Sequence, residues 1–93
     1  MEIERLSFIV IPKETLDDFI EIDEQVWTTW LRQQKGFIQK HYQRYPTGHL
    51  DIRIFWQSRA DWEAAAQSPQ LPAIESKFRT EFLKLGKGIY QML

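Results

Sequence analysis

Ninety-three residues with no cysteine and a net charge of −1, from 12 basic and 13 acidic side chains, exclude several classes of function. There is no disulfide staple, no thiolate nucleophile and no cysteine-based zinc site, and two histidines, His41 and His49, are too few for a histidine-rich metal centre. The near-neutral balance removes the electrostatic reason for a nucleic-acid or membrane-surface partner, and no stretch approaches the ~18 apolar residues of a membrane span.

The length fits one domain, residues 1–93. Four Trp, three Tyr and six Phe give it either a large aromatic core or an interface with a partner subunit, the two routes open to a small chain without staples. The opening MEIERLSFIVIP is acidic first and apolar only over residues 6–11, which reads as a strand rather than a signal peptide. With no targeting segment the expected compartment is the cytoplasm.

In chain order, Leu6 to Ile11 is rich in β-branched residues and closed by Pro12, a buried strand starting near Ile3. Thr15 is the expected N-cap of a helix that runs to about Gln34, with Asp17 and Asp18 suited to its positive end and Gly36 as its stop. Phe37 to Tyr45 and Leu50 to Gln57 alternate as two strands of a hairpin about Pro46-Thr47-Gly48-His49. Ser58, with Asp61 three residues on, opens a helix that breaks at Ser68-Pro69. Pro72 starts a second one, marked by Leu71, Ile74, Phe78, Phe82 and Leu85 and ended by Gly86 and Gly88. Ile89 to Leu93 is a short last strand. The order β-α-β-β-α-β predicts an α+β, ferredoxin-like antiparallel sheet with the helices on one face. The first strand is apolar on both faces, through Leu6, Phe8 and Val10 and through Ile3, Ile9 and Ile11, so a second subunit is expected to cover the other side.

The stretch FIEIDEQVWTTWL contains the sharpest candidate. At 100° per residue Leu16, Phe19, Ile20, Val26, Trp27, Trp30 and Leu31 share one helix face, and Asp23 falls in its middle. One reading makes Asp23 a catalytic acid or base at the bottom of an aromatic-walled pocket, its pKa raised above ~3.9 by desolvation. The other makes it a tether that satisfies a buried indole N–H, a tyrosine hydroxyl or a cation on the sheet. Leucine at 23 would stabilise the fold on the first reading and destabilise it on the second. Trp27, Trp30 and Trp56 are the expected pocket walls.

A turn centred on Thr47-Gly48 would pair Tyr45 with Leu50, His41 with Ile54 and Gln39 with Trp56. His41 and Gln39 would then face Asp23 under the first helix, His41 as a catalytic partner and Gln39 as a binding residue. Lys40, Tyr42, Arg44, Asp51 and Arg53 would fall on the opposite face as an anion site or a charged network. Lys35-Gly36-Phe37 begins like the signature of RNA-recognition domains, but it leads into the second strand rather than the third, and Ile38 and Gln39 break the pattern.

These residues carry a resemblance. Gly36-Phe37 opening the second strand, Trp56 ending the third, Ser58-Arg59-Ala60-Asp61-Trp62 and the Ser68-Pro69 break resemble the dimeric α+β barrel superfamily, which includes the antibiotic-biosynthesis-monooxygenase-like domains. Asp23, Trp27-Thr28, Lys40, Leu71 and Phe78 resemble a small uncharacterised bacterial family within it. The resemblance implies a homodimer whose two sheets pack into a barrel, with a pocket between each sheet and its own helices. It also implies relatives that include cofactor-free monooxygenases of polycyclic aromatics and haem-degrading enzymes. Ile74-Glu75-Ser76-Lys77 has no histidine where the haem-degrading members carry their ligand. Ala65 and Gln70 stand where many monooxygenase-like members carry histidines.

The expectation is a small-molecule-pocket protein that requires no cofactor and acts on, or holds, a small apolar or aromatic ligand. Its other partner is a second copy of itself, and neither nucleic acid nor membrane is expected. The alternative is a non-catalytic dimeric ligand-binding or assembly module.

Overall fold

A ten-residue apolar strand organises the chain. The computed structural model describes residues 1–93, and in it β1 (Glu2–Ile11) is flanked by β3 (His49–Trp56) and β4 (Ile89–Met92), with β2 (Phe37–Arg44) outside β3. Every pairing is antiparallel and the order is β2-β3-β1-β4. The helices are a rod over residues 16–31, then α3 (Arg59–Ala66) and α4 (Leu71–Lys84). This is the expected ferredoxin-like α+β architecture. No helix is long and apolar enough to cross a membrane.

The caps follow local chemistry. Ser58 Oγ accepts the Asp61 backbone N–H at 3.1 Å and donates to the Asp61 carboxylate at 3.0 Å, so Ser58 is the N-cap of α3 and Asp61 holds its hydroxyl in place. Pro72 sits in the first turn of α4, where its missing N–H costs nothing. Thr15 does not cap. It is buried, and its hydroxyl donates to the Pro12 carbonyl at 2.7 Å within a short 3-10 turn (Lys13–Thr15) ahead of the rod.

The rod departs from ideal geometry. It comprises α1 (Leu16–Asp23), a π-helical turn (Glu24–Thr28) and α2 (Thr29–Leu31). A π turn closes i→i+5 bonds and shifts the faces of everything after it. Thr28 is buried as a result and Trp27 only half-buried, whereas a uniform 100° step puts Trp27 in the buried face.

The hairpin departs from the expected register by one residue. Arg44 pairs with Leu50, Tyr42 with Ile52, Lys40 with Ile54, His41 with Arg53 and Gln39 with Phe55. The connection is Pro46-Thr47-Gly48, closed by the Tyr45 N–H donating to the His49 carbonyl at 2.9 Å, with Gly48 at φ +91°. Three-residue loops with a left-handed glycine are a standard hairpin closure, and they shift parity by one against a two-residue loop. In a sheet a one-residue slip exchanges the two faces. Lys40 and Tyr42 therefore face the helices, and His41 and Gln39 face away and are exposed. A bulge between Phe37 and Gln39 restores the Phe37–Trp56 pairing.

The core lies between sheet and helices. Val10, Leu50, Ile52, Ile54 and Trp56 come from the strands, Phe19, Ile20, Val26, Trp30 and Leu31 from the rod, and Phe78 and Phe82 from α4. Phe19 is its hub, 5.0–5.6 Å from the rings of Phe8, Phe78, Phe82 and Tyr90.

The loop glycine is open to test. A Cβ at position 48 would lie 2.5 Å from the Val10 carbonyl oxygen and 3.2 Å from Lys13 Cα. Gly48→Ala should cost at least about 1–2 kcal/mol, the left-handed penalty alone. An unchanged urea midpoint would show that this loop does not set the register.

Candidate functional site

The sheet and helices do not close completely on each other. Between them lies a cavity of about 590 Å³ whose 22 lining residues include 16 hydrophobic ones. Leu6, Phe8, Ile52, Ile54 and Trp56 form its floor. Phe19, Trp27, Trp30 and Leu31 form one wall, and Trp62, Ala65, Ala66, Leu71 and Phe78 the other. All four tryptophans line it, including the expected Trp27, Trp30 and Trp56. Trp27 and Trp30 meet edge to face with centroids 6.2 Å apart.

The indole N–H groups of the two buried tryptophans are each satisfied, and this fixes their rings. Trp30 Nε1 donates to Gln70 Oε1 at 2.8 Å, so the segment between α3 and α4 holds a wall of the cavity. Trp56 Nε1 donates to Glu4 Oε1 at 3.1 Å.

Asp23 lines the cavity and is 4% exposed. Its Oδ2 accepts from both the Lys40 ammonium and the Tyr42 hydroxyl. Lys40 also donates to Thr28 Oγ1 at 3.1 Å, and Thr28 Oγ1 and the Tyr42 hydroxyl lie 3.4 Å apart. Burial, and then the charge of Asp23, push the Tyr42 hydroxyl far above the ordinary tyrosine value, so it remains a proton donor. Asp23 therefore borders the cavity and ties the rod to β2. Its partners are a cation and a tyrosine.

The structure does not bring the expected His41 and Gln39 to this place. Both lie on the outer face of the sheet, His41 beside Phe55 at 5.2 Å between ring centroids. The physical reason is the three-residue loop described above. The same correction moves Lys40 and Tyr42 from the expected outer group into the site, and Arg44 to an exposed ion pair with Asp17. Asp51 stays outside, where it accepts from Ser7 at 2.6 Å and Tyr45 at 3.2 Å. The Ser7 bond is the main reason its carboxyl sits below the ordinary value.

A second acid escaped the sequence reading. Glu4 shares the helix-facing side of β1 with Leu6, Phe8 and Val10, and it lines the cavity. Burial raises its pKa above the ordinary 4.5, against the opposing pull of the Trp56 N–H and the Lys40 charge. The signal was present in the alternation of β1, where an acid occupies an inward position. Thr28 carried no such signal, because its burial follows from the π turn.

Chemically, the site is a mainly apolar cavity with one polar side made of Asp23, Lys40 and Glu4, with Tyr42 and Thr28 behind them, and further polar lining from Glu75, Arg79 and Gln91. No cluster of three or more His, Asp or Glu side chains is arranged to hold a metal ion.

Neither a protein-family model nor a curated protein sequence matches the chain. Solved structures do. One is SnoaB, a cofactor-independent oxygenase from Streptomyces nogalater, with a TM-score of 0.67 and 12% identity, covering 98% of this chain and 88% of that one. Another is a monooxygenase from the gene ActVA-Orf6 of Streptomyces coelicolor in complex with nanaomycin D, with a TM-score of 0.66 and 17% identity over 98% and 83% of the two chains. A conserved protein from Methanosarcina mazei Go1 follows at a TM-score of 0.53 and 12% identity over 98% and 89%. At such identities the likeness is one of fold alone.

Two outcomes follow for stability. Asp23→Leu strands the Lys40 ammonium in a buried site and should cost about 3–5 kcal/mol. Adding Lys40→Met should restore most of that loss, because a buried ion pair and an apolar pair of similar volume are often comparable. Equal urea midpoints for wild type and Asp23→Leu would remove the tether. Glu4, raised in the folded state, binds more protons folded than unfolded, so its contribution to stability is full below about pH 4.5 and is lost as pH rises through the raised value. Glu4→Gln keeps an acceptor for Trp56 and should gain stability over wild type above pH 4.5 but not below it, measured as the difference between two melting curves across pH.

Proposed function

We propose that the chain is a small-molecule-pocket protein that holds an apolar or aromatic ligand between the sheet and its own helices and converts it without a cofactor, in the manner of a monooxygenase or an acid–base enzyme. The cavity carries this reading: its volume of about 590 Å³ and apolar lining suit a small ligand with a few directional polar contacts. Trp27, Trp30 and Trp56 hold the ring, and the polar side orients it. The fold shared with SnoaB and ActVA-Orf6, one described as a cofactor-independent oxygenase and the other as a monooxygenase with nanaomycin D bound, supports the same class of ligand.

In this reading Asp23 keeps its place at the pocket as the partner of Lys40, and the expected pairing of Asp23 with His41 as a catalytic couple is set aside. The working unit is a homodimer. The outer face of the sheet carries Ile3, Ile9, Ile11 and Phe55 among Arg5, Arg53, Ser7 and Asp51, and Ile11 and Ile89 are 55% and 61% exposed. A second copy covering that face would bury His41 and Gln39 at the interface rather than in the pocket. We place the protein in the cytoplasm, as a single domain over residues 1–93. A non-catalytic binding module would use the same cavity, and turnover separates the two. An assembly domain with a filled core has no use for this much internal space.

The test is titration with nanaomycin D followed by tryptophan fluorescence, with native mass spectrometry of the same sample. Saturable quenching at one ligand per chain on a dimer is expected, and Ala66→Trp, which fills the cavity from α3, should abolish it. Absence of saturable binding, or binding indifferent to Ala66→Trp, overturns the pocket. A monomer overturns the dimer alone.

A further inference from the structure

Asp23 and Glu4, two of the three acids that line the cavity, differ in how their charge is held. Asp23 is ion-paired with Lys40 and also accepts from Tyr42, both on Oδ2. Glu4 makes one hydrogen bond in the protein, from the Trp56 indole to Oε1, and forms no salt bridge. Its Oε2 has no protein donor and is not sealed from the cavity. An acid–base group needs an oxygen within reach of the ligand on a carboxylate that is not held in an ion pair. Glu4 meets that condition.

Its surroundings add direction. Glu4, Ile54 and Lys40 form one cross-strand row over β1, β3 and β2. An oxygen placed above Ile54 therefore has a carboxylate on one side and an ammonium on the other. The other walls are mainly apolar, and Glu75 and Arg79 on the lining are paired with each other.

We propose that Glu4 is the acid–base residue of this cavity: its free oxygen accepts the hydroxyl hydrogen bond of an apolar ligand that carries an ionisable O–H, and accepts its proton when the ligand reacts. The inference rests on the pocket reading above. In the step the ligand O–H bond breaks and a Glu4 O–H bond forms. The electron pair stays on the ligand oxygen, which Lys40 then faces as counter-charge, and nothing is oxidised or reduced. Asp23 keeps Lys40 in position without exchanging a proton with the ligand.

The titratable groups that share the cavity with Glu4 are Lys40 from β2, Asp23 from the rod, Glu75 and Arg79 from α4, and Tyr90 from β4. The α3 residues that line the cavity, Trp62, Ala65 and Ala66, carry no titratable group. Glu4 is the acid among them whose pKa burial raises, while Glu75 is engaged by Arg79 at 3.0 Å.

The experiment compares naphthol with its methyl ether, each titrated against tryptophan fluorescence across pH in wild type and Glu4→Gln. Naphthol should bind wild type more tightly as pH rises through the Glu4 titration, and the ether should show no such rise. Glu4→Gln should lose the rise and about tenfold or more in naphthol affinity at neutral pH, the worth of a hydrogen bond to a charged acceptor, while ether affinity stays unchanged. If both probes bind but Glu4→Gln keeps the wild-type naphthol profile, this inference falls and the pocket stands. If neither probe binds wild type, both fall. Should Glu4→Gln fail to fold, the carboxyl-carbon resonance of Glu4 in wild type replaces it: its titration must shift with naphthol and not with the ether, and the same response to both overturns the assignment.

Discussion

The bond between Asp23 and Lys40 decides how the first helical rod meets the sheet. The inner face of β2 is polar, presenting Lys40, Tyr42 and Arg44, and an apolar helix laid across it would strand an ammonium and a hydroxyl away from water. Burying charges is costly, but a buried charge left alone costs more than one that is paired and hydrogen-bonded. Asp23 takes the ammonium and the hydroxyl on one oxygen, and Thr28 supports both donors. Asp17 meets Arg44 further along, but that pair is exposed and contributes little beyond alignment. The π turn belongs to the same constraint. It begins one residue after Asp23 and turns Thr28 inward, where a regular helix would have directed it elsewhere.

With the rod fixed at this polar point, the rest of the core settles around it. Phe19 anchors an aromatic cluster with Phe8, Phe78, Phe82 and Tyr90. The tryptophans line the cavity, Trp27 and Trp30 meeting edge to face. Trp30 is held by Gln70 and Trp56 by Glu4. Rings fixed by their N–H groups cannot collapse inward to fill the space, which gives a physical account of a persistent cavity in so small a protein. Close packing is the ordinary outcome for an interior, and here directional bonds oppose it.

The same geometry separates structural from chemical roles among the polar groups. Asp23 is heavily engaged, so it serves the fold and the local field. Glu4 has a single hydrogen bond, no ion pair and is desolvated, a combination that favours proton exchange with a guest molecule. The outer face has a different character. Ile3, Ile9, Ile11 and Phe55 are interleaved with Ser7, Asp51 and His41, which suits contact with another protein surface better than a small-molecule site.

Much of this was written in local sequence. The strand and helix order, the N-cap of Ser58 with Asp61, the break before α4 and the anomaly of Asp23 all follow from periodicity and turn chemistry, because those depend on neighbours a few residues away. Glu4 was legible by the reasoning that found Asp23, as an acid in the inward phase of an apolar strand. Other features only the tertiary structure decided. Whether Pro46-Thr47-Gly48-His49 closes with two residues or three depends on how β1 receives the loop, through the Val10 N–H on the Gly48 carbonyl. That single residue of register chose Lys40 and Tyr42 over His41 and Gln39, since strand side chains alternate with a period of two. The π turn follows a comparable logic: its wider winding brings Thr28 to partners on β2, and no pattern within the rod itself announces partners on another strand.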